Sequence, residues 1–154
     1  MIDRNARSGQ APGRSTASAF IMSADPSGVI AFATDVLQAT QPRAPILRQD
    51  GSIWNAELLI GDSTVFVSGV KDRSDARPAF TYVYVDDVDT AFARARERGA
   101  ESFMPVADQF YGDRGGGIID GEGNIWWLAT HRETLSDDEV QARARAEERM
   151  RDAG

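Results

Sequence analysis

Ala31-Phe32-Ala33 and Ala91-Phe92-Ala93 are the same tripeptide, 60 positions apart. That shift also lays Phe20 on Phe80, Gly61 on Gly121 and Val65-Phe66-Val67 on Ile125-Trp126-Trp127. An offset held across a helix-like stretch and a strand-like one marks a duplicated unit better than any single match.

The residues around the repeat say what the unit is. In the first copy, the short apolar run Ala19 to Ala24 predicts a buried strand, and Asp25-Pro26 supplies an N-cap followed by a first-turn proline. Val29, Phe32, Ala33 and Val36 then give the apolar stripe of a helix that Pro42 limits. Strands follow at about 44–49, 53–60 and 63–70, joined by Asp50-Gly51 and Gly61-Asp62 as an antiparallel meander. In the second of these, Trp54, Ala56, Leu58 and Ile60 share one face. Ile53, Asn55, Glu57 and Leu59 share the other, which puts Glu57 on a half-apolar face.

The second copy begins after a polar linker at 71–78, with a strand at 80–85. A helix capped by Asp86 or Asp87, striped by Val88, Ala91, Phe92 and Ala95 and ended by Gly99 comes next, then strands near 101–106, 116–120 and 125–129. The pattern predicts an α+β protein of two βαβββ modules, about 18–70 and 79–131, in one domain over 18–132. Residues 1–17 show neither apolar period and are expected to form a mobile tail. In residues 133–154, Ser136 and Glu139 form a capping box ahead of Arg143, Arg145, Arg149 and Arg151, predicting a C-terminal helix. Its apolar stripe is thin, so it is expected to lie on a partner subunit or to protrude.

Charge and composition exclude several functions. With 17 Lys and Arg against 24 Asp and Glu, the net charge of -7 opposes binding to a nucleic-acid backbone and mildly favours neutral or cationic ligands. The chain has no cysteine, which removes disulfides, thiolate nucleophiles and cysteine metal sites. No apolar run approaches the roughly 20 residues of a membrane helix or the core of a secretory signal, so no membrane contact and a cytoplasmic location are expected.

The candidate chemistry gathers in Asp108-Gln109-Phe110-Tyr111-Gly112-Asp113-Arg114 and in Ile125-Trp126-Trp127-Leu128-Ala129-Thr130-His131. Trp54, Tyr82, Tyr84 and one of the two adjacent tryptophans suit a stacking cage for a flat ligand, or serve as large core residues. Asp113 and Arg114 offer polar ligand contacts, or form a surface pair that orders their loop. Tyr111 carries the same two readings. Glu57 is the general-base candidate, the alternative being a carboxylate bonded to a neighbouring strand or an arginine. His131, the single histidine, reads as a solvated strand-end residue and leaves no Ser-His-Asp triad to build. Gly115-Gly116-Gly117 reads as a hairpin or mobile lid, because no strand-to-helix phosphate motif surrounds it.

A duplicated βαβββ unit with these motifs resembles the vicinal oxygen chelate superfamily, in its PhnB-like, glyoxalase/bleomycin-resistance branch. The resemblance runs from about Ala19 to His131 and is most specific over Met104-Pro105-Val106-Ala107-Asp108-Gln109-Phe110-Tyr111-Gly112-Asp113-Arg114. Ala56-Glu57-Leu58, Ile60-Gly61-Asp62 and Leu128-Ala129-Thr130-His131 match as well. Two departures stand out: Asp120-Gly121-Glu122-Gly123-Asn124 replaces the branch's Asp-Pro-Phe-Gly-His, and Asn55-Ala56-Glu57 replaces His-Ala-Glu.

The resemblance implies curved mixed sheets around a cavity and a homodimer that completes its sites across subunits. It places the metal ligands of other members near Phe20, Val67, Phe80 and Trp127, none of which binds a metal, and it makes Trp127 rather than Trp126 the cavity-facing ring. The expected function is therefore metal-independent binding of an aromatic or cationic small molecule, of the sequestering or resistance type. Trp54, Tyr82, Tyr111, Asp113, Arg114 and Trp127 are its ligand contacts, and no cofactor is called for. The alternative is a lyase, isomerase or glyoxalase-like enzyme, with Glu57 as a metal-free base or with a divalent metal held by ligands at shifted positions.

Overall fold

A computed structural model of the protein describes residues 7–154. The chain divides into two compact units, one of residues up to Thr81 with Asp120–Asn124, the other of Tyr82–Ile119 with Ile125–Gly154.

The first unit holds β1 (Ala19–Ser23), α1 (Pro26–Val36), β2 (Ile46–Leu47), β3 (Ile53–Ile60), β4 (Ser63–Gly69) and a 3-10 turn at Arg73–Asp75. Its sheet runs β1-β4-β3-β2, with β1 parallel to β4 and the other pairs antiparallel. The Asp25 carboxylate accepts from Gly28 N at 3.0 Å and Pro26 opens the first turn, so α1 starts where the sequence places it. The helix buries Val29, Ile30, Phe32, Ala33 and Val36. On the sheet, Ile21, Ala56, Leu58, Val65 and Val67 are buried, while the alternate residues of β3 and Phe66 and Ser68 of β4 keep partial exposure. Each buried Val, Ile, Leu or Phe side chain contributes about 1.5–3 kcal/mol by leaving water.

The second sheet contains β5 (Phe80–Tyr84), β6 (Glu101–Asp108), β7 (Asp113–Ile119) and β8 (Ile125–His131), in the order β5-β8-β7-β6. Between β5 and β6 lies α2 (Val88–Glu97), whose N-cap is Asp87, accepting from Thr90 N at 3.2 Å. Trp126, Leu128 and Ile118 are fully buried, and Val88 and Ala95 of α2 are buried too. The capping box of Ser136 and Glu139 starts α3 (Asp137–Ala153), which buries no residue. Among the described residues, no helix is long and apolar enough to cross a membrane.

The two copies are related less simply than a shift of 60. Their N-caps, Asp25 and Asp87, are 62 apart, whereas buried Leu58 and Ile118 are 60 apart. Leu58 pairs with Val65 and Ile118 pairs with Trp126, so the last strands are offset by 61. The turns supply the extra residue. Ile60 pairs directly with Ser63 across Gly61-Asp62, but the second turn closes through Asp120 N to Asn124 O at 3.0 Å, leaving three residues between. Asp120 holds that longer turn by accepting from Glu122 N and Asn124 N at 2.9 and 3.0 Å. One residue in a turn reverses the faces of the strand after it. The match of Val65-Phe66-Val67 to Ile125-Trp126-Trp127 is therefore corrected: Val65 and Val67 correspond to Trp126 and Leu128, all buried, and Phe66 corresponds to Trp127.

Further boundaries differ. The strand expected over 44–49 shrinks to Ile46–Leu47, since Pro45 has no N–H to give the ladder. Strand β7 starts at Asp113, so the three glycines lie within a central strand and not in a hairpin or lid. A Cβ on Gly116 would stand 2.8 Å from Val106 N and 2.9 Å from Met104 O, a backbone approach only glycine allows. The mobile-tail expectation lies partly outside the described residues. From residue 7 the segment forms turns, and Ser15 and Thr64 exchange hydrogen bonds of 3.4 and 2.9 Å.

Gly116→Ala is expected to cost about 1–3 kcal/mol through overpacking. Gly121→Ala, where nothing lies within 4 Å of the added carbon, should change stability by about 0.5 kcal/mol or less. Urea unfolding of both variants checks this, and equal midpoints would contradict the packing argument.

Candidate functional site

Pairing of β7 with β8 sets Asp113 opposite His131, Gly115 opposite Ala129 and Gly117 opposite Trp127. These residues share the face that Trp126, Leu128 and Ile118 do not use. Without side chains, Gly115 and Gly117 let large rings lie down on the strand. A Cβ on Gly115 would come within 2.7 Å of Trp127 Nε1, and one on Gly117 within 2.8 Å of Phe103 and 3.3 Å of Trp127. Tyr82 of β5 stacks on Trp127 with ring centroids 6.4 Å apart and planes 25° from parallel. Tyr84 meets Tyr82 edge-on at 5.3 Å. The result is an aromatic face on which Tyr82 stays 43% exposed and Phe103 46%. Trp127 Nε1 is buried with no hydrogen-bond partner among the described residues.

At one end of this face stands Asp113, 4% exposed. Its Oδ2 accepts from the Tyr82 hydroxyl at 2.5 Å and the Tyr84 hydroxyl at 3.1 Å, and its Oδ1 lies 2.7 Å from His131 Nδ1. A carboxylate cannot donate, so Nδ1 carries the proton, while Nε2 meets Thr134 Oγ1 at 2.9 Å. Burial works to raise the Asp113 pKa, but the hydrogen bonds from Tyr82, His131 and Tyr84 outweigh it and hold the group below the ordinary carboxylate value. The Tyr82 phenol is pushed far upward, first by burial, then by its bond to Asp113 and by Tyr111, so it remains a proton donor.

Asp113 and Arg114 do not form the loop-ordering pair the sequence suggested, because neighbours on a strand point to opposite faces. Arg114 is held instead by both oxygens of Asp89 at 2.9 Å and by Asp108 at 3.2 Å. A cavity of about 490 Å³ lies among Gln109, Asp113, Arg114, Arg132, Glu133 and Arg143. Tyr111 packs edge-on against Phe110 at 5.2 Å. His131 is exposed at the end of β8, as read from the sequence, and is in addition tied at both nitrogens. Phe103 was not singled out in the sequence; the signal for it was the glycine pair two residues apart, facing a tryptophan.

The other two predicted residues lie in the first unit. Glu57 Oε2 accepts from Arg14 at 3.0 Å and Arg43 at 2.9 Å, the arginine-bonded arrangement. Asn55, two residues earlier on the same face, has its Oδ1 buried without a partner among the described residues. Trp54 belongs to the opposite face of β3 and is 57% exposed.

No family model matches the sequence. An uncharacterized protein of Mycobacterium bovis is 32% identical over 104 residues, 60% of this chain and 68% of that protein. In Mycobacterium tuberculosis the corresponding stretch spans 61% of an uncharacterized protein at the same identity, so there the chain matches less than two thirds of its relative's length. The crystal structure of TioX from Micromonospora sp. ML1 is similar with a TM-score of 0.60 at 26% identity, over 76% of this chain and 98% of that one. A PhnB protein from Bacillus cereus gives a TM-score of 0.62 at 15% identity, over 75% and 99%. A glyoxalase/bleomycin resistance protein/dioxygenase from Nocardioides gives 0.54 at 17%, over 84% and 91%. The chain has the fold of these PhnB and glyoxalase/bleomycin-resistance structures, the fold its sequence resemblance implied.

The resemblance placed the metal-ligand positions of other members on the first and last strands of each module, and the corrected strand offsets revise which residues stand there. With offsets of 62 for the first strands and 61 for the last, the positions become Phe20, Phe66, Tyr82 and Trp127, of which Tyr82 alone carries an oxygen lone pair, and its hydroxyl is engaged with Asp113. Among the described residues, no three His, Cys, Asp or Glu side chains converge. The residues at these positions do not fit a metal.

Because the folded Asp113 pKa lies below its unfolded value near 3.8, its stabilising effect is complete above about pH 4 and is lost as pH falls through the folded pKa. Asp113→Asn is expected to be less stable at pH 7 by about 1–3 kcal/mol and to show a shallower acid limb than the wild type. Chemical denaturation from pH 7 down to about 3 tests this; parallel acid limbs would remove Asp113 as their source.

Proposed function

We propose that this protein binds a flat aromatic or cationic small molecule against the Tyr82–Trp127 face, without a metal, and acts by holding it, in the sequestering or resistance manner. The observation that carries the reading is the ring pair laid over Gly115 and Gly117, which forms a hard, flat, partly exposed surface that costs no side-chain rearrangement to use. Tyr84 and Phe103 extend it, and the Asp113 carboxylate beneath the tyrosine hydroxyls supplies a negative field for a cationic group.

The energies are sufficient. Micromolar binding requires about 8 kcal/mol. Two or three ring contacts add roughly 0.5–1.5 kcal/mol each beyond the area they bury, and burial of a polycyclic ligand supplies the remainder at about 25 cal/mol per Å². The same reading has the protein working as a homodimer. Edge strand β2 exposes Ile46 by 60% and Leu47 by 54%, and edge strand β6 exposes Met104 by 44% beside Phe103, apolar surface that a second copy would cover.

Titrating a panel of polycyclic aromatic natural products while following tryptophan fluorescence should yield at least one micromolar ligand. Trp127→Ala should weaken it about tenfold or more, with circular dichroism showing an unchanged fold. A panel without binders, or a ligand held equally well by the variant, would sink the proposal. Sedimentation equilibrium at micromolar concentration tests the dimer, and a monomer there would remove it.

A further inference from the structure

The first unit contains a second cavity, of about 420 Å³, at the ends of β1, β3 and β4. Three cationic side chains face it, Arg48, Lys71 and Arg77, against one carboxylate, Asp75. In a chain of net charge -7 this local excess runs against the average. What sets the pocket apart is how its cations are held. Arg48 donates through Nη1 to Ile53 O at 2.9 Å and through Nη2 to Gly69 O at 2.5 Å. Arg77 donates through Nη1 to Ser74 O at 3.0 Å and Ala76 O at 2.7 Å. Both are anchored by neutral carbonyls, which fix a guanidinium without cancelling its charge, and among the described residues no carboxylate comes within 4 Å of either, Asp50 acting on Arg48 only from farther off. Lys71 reaches Asp50 only at 3.8 Å. In the 490 Å³ cavity of the other unit the balance is different: Arg114 is spent on Asp89 and Asp108, and Arg143 on Glu133.

The same pocket is lined by Trp54, a large ring 57% exposed, with the Arg48 guanidinium 5.8 Å from its ring centre. Two carbonyls pin Arg48, so the charge and the ring stay together before any ligand arrives. Arg77 is positioned independently, its backbone exchanging hydrogen bonds of 3.2 and 2.9 Å with Met22 of β1. An arginine presents five N–H donors, and each of these two uses only part of that set. The remainder suits a carboxylate, whose charge-assisted bonds are about twice as strong as neutral ones, next to an indole ring on which a flat group stacks.

We infer that this pocket is a second binding site, for a planar aromatic monoanion: the ring against Trp54 and the anionic group between Arg48 and Arg77, with Lys71 adding attraction at the rim. The site is independent of the Tyr82–Trp127 face and has the opposite charge preference.

Isothermal titration of the full chain with 1-naphthoate and with its neutral isostere 1-naphthamide tests the inference. The acid should bind saturably at millimolar concentration or below, about tenfold or more tighter than the amide, and weaken as salt is raised. Trp54→Ala and Arg77→Gln should each lower its affinity at least severalfold, and Lys71→Gln, at an exposed residue whose loss spares the fold, should do so more mildly. Arg145→Gln, which removes an exposed charge on α3, should leave binding unchanged. The inference is overturned if the acid does not bind, if the amide binds as tightly, or if Trp54→Ala and Arg77→Gln, shown to be folded by circular dichroism, retain full affinity.

Discussion

A strand has two faces, and the number of residues in the turn before it decides which side chains each face receives. Here the three residues between Asp120 and Asn124, where the first copy has two, turn Trp126 inward and Trp127 outward. The indole facing out then needs a floor. Gly115 and Gly117 lie on the neighbouring strand, two apart and on the same face, and the space their missing side chains leave is filled by Trp127 and Phe103. Turn length and glycine spacing thus act together. With a two-residue turn, Trp127 would point toward the helix side and the glycine pair would be a weakness in a central strand.

The aromatic face also depends on a buried charge. Asp113 is a carboxylate removed from water, which is tolerable only if its lone pairs are occupied. Three donors occupy them, from β5 and from the end of β8, so one carboxylate fixes the positions of Tyr82, Tyr84 and His131. The bond from His131 to Thr134 carries the network into the segment before α3. The tyrosine rings are therefore oriented by their hydroxyls and presented by their faces, which suits an amphipathic side chain.

Much of the fold was legible because its signals are local. The N-caps Asp25 and Ser136, the proline at 26 and the alternation along β3 depend on neighbours within four residues, and the structure has all of them in place. The errors came from quantities that local pattern does not carry. Sequence identity at Ala31-Phe32-Ala33 and Ala91-Phe92-Ala93 suggested one offset for the whole chain, whereas caps, third strands and last strands each have their own. Gly115-Gly116-Gly117 looked like a turn because glycine is common in turns. Only the pairing with β6 and β8 on both sides shows that the glycines answer to close backbones and large rings. For the candidate site, sequence reading brought Tyr82, Asp113 and Trp127 onto one list, and their grouping on one face follows from register. It had no means of placing Arg114 on the other face or of finding the partners of Glu57, since those bonds join residues up to 43 positions apart.

The corrected offset bears most directly on chemistry. Coordinating a divalent ion takes several nitrogen or oxygen donors at about 2.0–2.2 Å, each on the correct face of its strand. In this chain those positions are Phe20, Phe66, Tyr82 and Trp127, and Phe20 and Phe66 are direct cross-strand neighbours with rings 6.0 Å apart. A donor lacking at one such position could be replaced from the next turn or strand; rings at two positions of each sheet change what each sheet's face is suited to do. Carbon surface at these places attracts by area and by the electron density of its faces, terms that grow with the flatness and size of the ligand rather than with the basicity of a single atom. Selectivity on such a surface must come from shape and from charges at its edge. Asp113 is such a charge on the second sheet, and the carbonyl-anchored arginines beside Trp54 are its counterpart of opposite sign on the first.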